Sequence, residues 1–298
     1  MQILRLCCVL SIVLAFFGCA TTEKEPVETV EKTEETETEE KQTSVKEEKE
    51  EPEEKIVTIY LLKRVNSYFA DGILDEYTVY TYADDGIKRL SSERFNAENQ
   101  LQERKEYAYS NGQLSKLSTF NGTGELQKYH IYEYDNDGNL IEDNLYDSEG
   151  KLQSKSTYEY DSMGHKTKWS IFSGNGALLS YTEYEWEDGN NTGIETYTPS
   201  GDLDVYFEIE YSNGNSVKKS EFDADGDLEG FVTYEYNNGN LVTEIIHRAN
   251  GSVKRKVVYT YGEGDKPIEI VYLNASGAVQ ERVSRDYITR ETVTSTNN

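Results

Sequence analysis

From Ile56 onward, apolar and polar residues alternate with a period of two. After Gly201, the residues Leu203, Val205, Phe207, Ile209 and Tyr211 share one parity, while Asp202, Asp204, Glu208 and Glu210 share the other. The same alternation follows Gly226, with Leu228, Val232, Tyr234 and Tyr236, and Gly251, with Val253, Val257, Tyr259 and Tyr261. No stripe at helical spacing competes with it. The pattern predicts strands with one apolar, aromatic-rich face.

Turn glycines punctuate these strands every 12 to 14 residues. They are Gly72, Gly86, Gly112, Gly124, Gly138, Gly150, Gly164, Gly176, Gly189, Gly201, Gly214, Gly226, Gly239, Gly251, Gly264 and Gly277, with Asn99 filling one gap. Alternate units resemble each other more closely, so the repeat is a pair of strands near 25 or 26 residues. One member carries two aromatics in alternation, as in Tyr132/Tyr134, Tyr158/Tyr160, Tyr184/Trp186, Tyr234/Tyr236 and Tyr259/Tyr261. The other carries a single aromatic four residues before its Gly, as at Phe95, Phe120, Tyr146, Phe172, Tyr197 and Phe222, with His247 and Leu273 in the late slots.

Turns of the type Asp135-Asn136-Asp137-Gly138 suit a type I turn closed by Gly at positive φ, and Asn111-Gly112 or Asp188-Gly189 suits a two-residue primed turn. Every connection is a tight reversal, so consecutive strands are expected to be antiparallel neighbours. The expected fold is all-β: an elongated, twisted antiparallel β-meander of tandem hairpins, preceded by a disordered acidic linker. About seventeen strands would make a sheet roughly 80 Å wide, coiled so that its aromatic face is partly enclosed. Open solenoid-like growth and a wide shell both fit the pattern.

Residues 1–19 read as an export signal, with Arg5 before a short apolar run from Val9 to Phe17. The ending Phe16-Phe17-Gly18-Cys19-Ala20 resembles the lipobox of bacterial lipoproteins, with Phe16 where the family prefers Leu. By that resemblance Cys19 is the lipid-attachment residue, the protein reaches a membrane through its N-terminal lipid, and Ala20 favours the outer membrane. Residues 20–55 form a Glu/Thr/Lys-rich segment without aromatics, expected to be a disordered tether, and 56–298 form the repeat domain.

Composition narrows the function. The net charge of -26 argues against a nucleic-acid partner, since a phosphate backbone needs a basic surface. The three cysteines, Cys7, Cys8 and Cys19, all precede the repeats, so the body has neither a disulfide nor a Cys metal site. The 24 Tyr against 9 Phe suit strands whose rings pack while their hydroxyls stay wet.

The phrase Tyr132-x-Tyr134-Asp135-x-x-Gly138-x-Leu140 and its copies resemble YD repeats of the Rhs type, and the alternating units are similar to bacterial MORN-variant repeats. The likeness covers everything after the tether. It implies a β-shell architecture and an association with bacterial surfaces and protein contact. The Rhs core segment and toxin domain have no counterpart here.

Chemistry is sparse. The three histidines, His130, His165 and His247, show no metal-ligand spacing, and no Gly-x-Ser-x-Gly elbow occurs. Asp223-Ala224-Asp225-Gly226 echoes a calcium loop, but Asp and Gly are what such turns require anyway. The expectation is therefore a non-enzyme without a cofactor: a lipid-anchored envelope protein offering a binding or structural surface to a protein or envelope component. Two alternatives remain, an outer-membrane β-barrel and an Rhs-like carrier or neutralising partner of a toxin. The tyrosine rows serve as core or as a binding strip, and a site is to be sought where single copies break the repeat rule.

Overall fold

The computed structural model describes residues 54–295; the expected export signal, Cys19 and nearly all of the expected tether lie outside the described residues. Eighteen strands follow one another: β1 Glu54–Phe69, β2 Leu74–Tyr82, β3 Arg89–Asn96, β4 Leu101–Ser110, β5 Gln113–Asn121, β6 Leu126–Tyr134, β7 Leu140–Asp147, β8 Leu152–Tyr160 and β9 Lys166–Ser173. The second half comprises β10 Leu178–Glu187, β11 Asn190–Tyr197, β12 Leu203–Ser212, β13 Asn215–Asp223, β14 Leu228–Asn237, β15 Asn240–Arg248, β16 Val253–Tyr261, β17 Pro267–Asn274 and β18 Val279–Ser295. One short 3-10 turn, Glu263–Asp265, interrupts them. The first strand begins at Glu54, two residues before the expected start of the repeats.

The turns follow the chemistry of their residues. Gly138 sits at φ 90, where a side chain would clash with its own backbone, and its N–H donates to the Asp135 carbonyl. The expected turn glycines all take positive φ, and Asn99 takes the same region at φ 62. In the two-residue turns both residues are left-handed, as at Asn111 (φ 50) and Gly112 (φ 84). The Asp side chains are committed to the turns: the Asp223 carboxylate accepts the N–H groups of Asp225 and Asp227 at 3.0 and 2.9 Å.

Each strand pairs antiparallel with its chain neighbours, and β1 also pairs with β18 from Glu54↔Ser295 to Phe69↔Glu281. The sheet thus closes into an up-and-down barrel rather than remaining an open meander. Edge strands explain the difference. An open sheet of this width would leave two long unpaired edges; closure pairs them and turns the face of the aromatic pairs inward. Strands β1 and β18, at 16 and 17 residues, outlast the others and continue as a ribbon beyond the rim where both described ends emerge. The ribbon's Tyr60 ring lies against Gly264, leaving no room there for a Cβ.

A second difference concerns the faces. Each strand pair carries one register shift, which lies near the connecting turn in every pair but β1–β18. Opposed residues share a face. Leu203 stands opposite Tyr197, yet Val205 and Phe207 stand opposite Thr196 and Ile194, so an extra residue at Asp204 puts Leu203 and Phe207 on opposite faces. Parity alone assigns them to one. The barrel therefore has two apolar belts. The aromatic pairs form one belt, near the rim of the described ends. The single aromatics, their leucines and a second aromatic form the other, near the far rim and on the other face.

The face of the aromatic pairs is the enclosed one. In a closed ring the concave side crowds side chains and the convex side spreads them. Val257, Ile270 and Val283, only 2, 4 and 9% exposed, form a cluster on the pair face with Val65, Ile246, Tyr259 and Tyr272. Desolvation is also the dominant influence on its tyrosines Tyr80, Tyr132, Tyr158, Tyr184 and Tyr234. An 18-strand ring of circular section has a backbone diameter of about 35 Å, too wide for side chains to fill.

Candidate functional site

The aromatic pairs divide two tasks. In every pair but Tyr234/Tyr236 the second member closes the wall: Tyr82, Tyr109, Tyr134, Tyr160, Trp186, Tyr211, Tyr261 and Tyr287 each donate to the backbone carbonyl twenty residues earlier, at 2.7 to 3.1 Å. The acceptors lie next to the register shifts, where the ladder leaves carbonyls free. The first member turns its ring to the enclosed space. Burial, helped by the Asp143 charge, pushes the Tyr158 hydroxyl up to about 12. Burial does the same for Tyr184 and Tyr234, each to about 12. Tyr132 and Tyr259 are raised further for the same reason, with Asp143 and Glu244 adding to it.

On the convex face, cations and rings stack along the circumference. Tyr129 and Tyr146 lie 5.0 Å apart and Tyr206 and Phe222 4.8 Å apart, each pair nearly parallel. Arg64 sits 3.8 Å over Tyr77, and Lys168 4.1 Å over Tyr181. His247 fills an aromatic slot by stacking 4.4 Å from Phe231. The other histidines are paired singly, His130 with Asp143 at 2.7 Å and His165 with Asp161 at 3.0 Å. Among the described residues no group of three or more His, Cys, Asp or Glu could hold a metal ion.

Where the copies depart from the rule, the enclosed face gains charge. Across β2, β3 and β4, Tyr80 and Tyr107 flank Arg89, whose guanidinium lies 4.5 and 5.5 Å from their ring centres. Arg94 pairs with Glu76 at 2.7 Å and Lys105 with Glu103 at 3.2 Å. Arg89 forms no ion pair among the described residues, and its Nε is buried without a hydrogen-bond partner. Arg285 of β18, standing in a first-aromatic slot, acts on Tyr80 from the other side, although burial still raises the Tyr80 hydroxyl overall. Sequence reasoning missed this cluster. Its signal was an Arg where the other copies carry Tyr259 or Tyr234, and one extra residue in the turn after Gly86 that brings Arg89 into register with Tyr82.

No protein-family model and no curated protein matches the chain. Among solved structures, a TcdB2-TccC3-Cdc42 complex is similar over 76% of this chain and 15% of that one, at 16% identity and a TM-score of 0.38. A porin-like protein from Bacteroides uniformis is similar over 76% of this chain and 96% of its own, at 13% identity and a TM-score of 0.42. Another, from Bacteroides vulgatus, covers 76% and 99%, at 11% identity and a TM-score of 0.29. With these scores the fold of this protein rests on its own strand registers: it is an all-β, closed 18-strand barrel.

Proposed function

We propose that the protein is a non-catalytic barrel-shaped shell of the cell envelope, held in water on a lipid at Cys19, whose concave face receives a guest molecule or polypeptide. One observation carries this reading: both faces bear charges at mid-strand. The pair face has Lys105, Asp143, Lys219 and Glu244, and the other has the ion pairs Lys155–Glu142, Lys168–Glu183 at 2.8 Å and Lys218–Glu210 at 2.6 Å. A lipid-facing charge at the bilayer midplane costs about 2–4 kcal/mol for Lys or Arg. The convex belt is also too short. In β10 it runs from Leu178 to Tyr181 and gives way to Glu183, about 10 Å against the roughly 25 Å a bilayer needs.

The resemblance of the repeats to Rhs-type shells supports a container, and the acidic surface argues against nucleic acid as its guest. A second reading, an outer-membrane barrel, is favoured by the even strand number and by the belt of Tyr, Phe and Leu on the convex side, which Arg104, Lys155, His247 and Lys256 interrupt. Extraction separates the two. With Cys19→Ala, the shell reading expects a monodisperse protein in buffer without detergent, and the membrane reading expects one that stays with the membrane fraction until detergent is added.

A further inference from the structure

The cluster around Arg89 lines a cavity of about 250 Å³ on the enclosed face. The repeat itself explains why space opens here. In an ordinary copy the residue opposite the first aromatic is bulky: Leu117 opposite Tyr107, Asp143 opposite Tyr132, Trp169 opposite Tyr158, Ile194 opposite Tyr184, Ile270 opposite Tyr259. Opposite Tyr80 stands Ser92, whose small side chain leaves the gap between Tyr80 and Tyr107 unfilled. The same copy puts Arg89 where others have Leu114, Leu140 or Leu241. Two substitutions in one repeat thus make a hole and place a cation in its wall.

The charges facing the hole define what fits it. Three cations line it, Arg89, Arg94 and Lys105, together with Glu103. Glu103 is held by Lys105, and Arg94 by Glu76 from the adjacent strand. One guanidinium remains without an acid, and its buried Nε has no partner. A bound carboxylate would supply the acceptor that this guanidinium lacks. Arg89, the one lining cation without an acid, presents a fork that holds a carboxylate bidentately. Ser92 Oγ and Tyr107 OH, 3.3 Å apart, offer hydroxyls for a ligand's hydroxyl groups, and the two tyrosine rings offer flat walls. The volume is below the roughly 300–1,000 Å³ of drug-sized sites, so the ligand is about one ring in size.

We infer that this cavity binds a single-ring organic monocarboxylate rich in hydroxyls, the chemistry of a uronic acid, with Arg89 holding the carboxylate. The inference does not depend on what the barrel as a whole encloses. The test is isothermal titration of the full-length protein with glucuronate, glucose and inorganic phosphate. Glucuronate is expected to bind at one site, with glucose and phosphate each at least ten-fold weaker. Arg89→Met, which keeps the stem over Tyr80 but removes the charge, should weaken glucuronate at least ten-fold. Ser92→Leu, which installs the residue another copy already carries, should abolish binding while leaving the thermal midpoint near that of the parent. No glucuronate binding by the parent protein would overturn the assignment. So would phosphate binding as tightly as glucuronate, or undiminished binding in Ser92→Leu.

Discussion

The aromatic-to-carbonyl bond that recurs in all repeats but one offers a quantitative test of how the wall is held. Tyr160 donates to the Leu140 carbonyl at 2.9 Å, and both residues are half-buried. Tyr160→Phe keeps the ring and deletes the donor. A neutral hydrogen bond is worth about 1 kcal/mol net, and stranding a half-shielded carbonyl adds a fraction of its desolvation cost, so the loss should be about 1–1.5 kcal/mol. For a chain of this size that lowers the thermal midpoint by about 2–6 °C. The repeat supplies its own control. Tyr236 occupies the equivalent position, but its hydroxyl makes no such bond to the Ser216 carbonyl, so Tyr236→Phe should change stability by less than about 0.5 kcal/mol. Urea and thermal unfolding of both variants give the comparison. Equal effects, whether both negligible or both large, would refute the claim that the bond rather than the ring supports the carbonyl.

Other consequences follow from closure, burial and the proposed anchor. Deleting residues 139–164 removes one full repeat of two strands and should leave a folded barrel, because β1 and β18 can still meet antiparallel; deleting 139–151 removes one strand, reverses that relation, and should prevent folding, as read by circular dichroism. Burial raises Tyr158, Tyr184 and Tyr234 to about 12 from the ordinary 10, so the unfolded chain loses these protons first. Their contribution is therefore complete below about pH 10 and lost as pH rises through about 12, and ultraviolet titration should show a late-ionising class of tyrosines that merges with the rest in urea. Replacement of Cys19 by Ala should abolish incorporation of labelled fatty acid; unchanged labelling would remove the proposed anchor.

Much of the wall was legible in the sequence because its local rules are strong. The turn at Gly138 needs a positive φ, and the alternation around Phe207 needs a strand, so element order and antiparallel neighbours followed directly. Closure was not legible, because it depends on contacts such as Asn66 with Ser284, which lie 218 residues apart and carry no repeat signature. Nor were the two belts. The residues that shift the register, among them Leu90, Ile141 and Leu179, look like any strand residue, yet each moves its neighbours to the other face. The Arg89 site hid in a different way: its parts are unremarkable singly, and only the register brings Arg89, Ser92 and Tyr107 to one hole.

The central claim is that the sheet is a ring, and one measurement addresses it directly. Asn66 of β1 and Ser284 of β18 are opposed in the ladder, with Asn66 Nδ2 donating to Ser284 Oγ at 3.0 Å. In an open meander the same two strands would sit at the outer edges of the sheet, roughly 80 Å apart. With Asn66→Cys and Ser284→Cys installed together, mild oxidation of the folded protein should yield an intramolecular disulfide between these positions in nearly every molecule, identified by peptide mapping. A folded, monomeric protein in which the two thiols stay reduced would contradict the barrel.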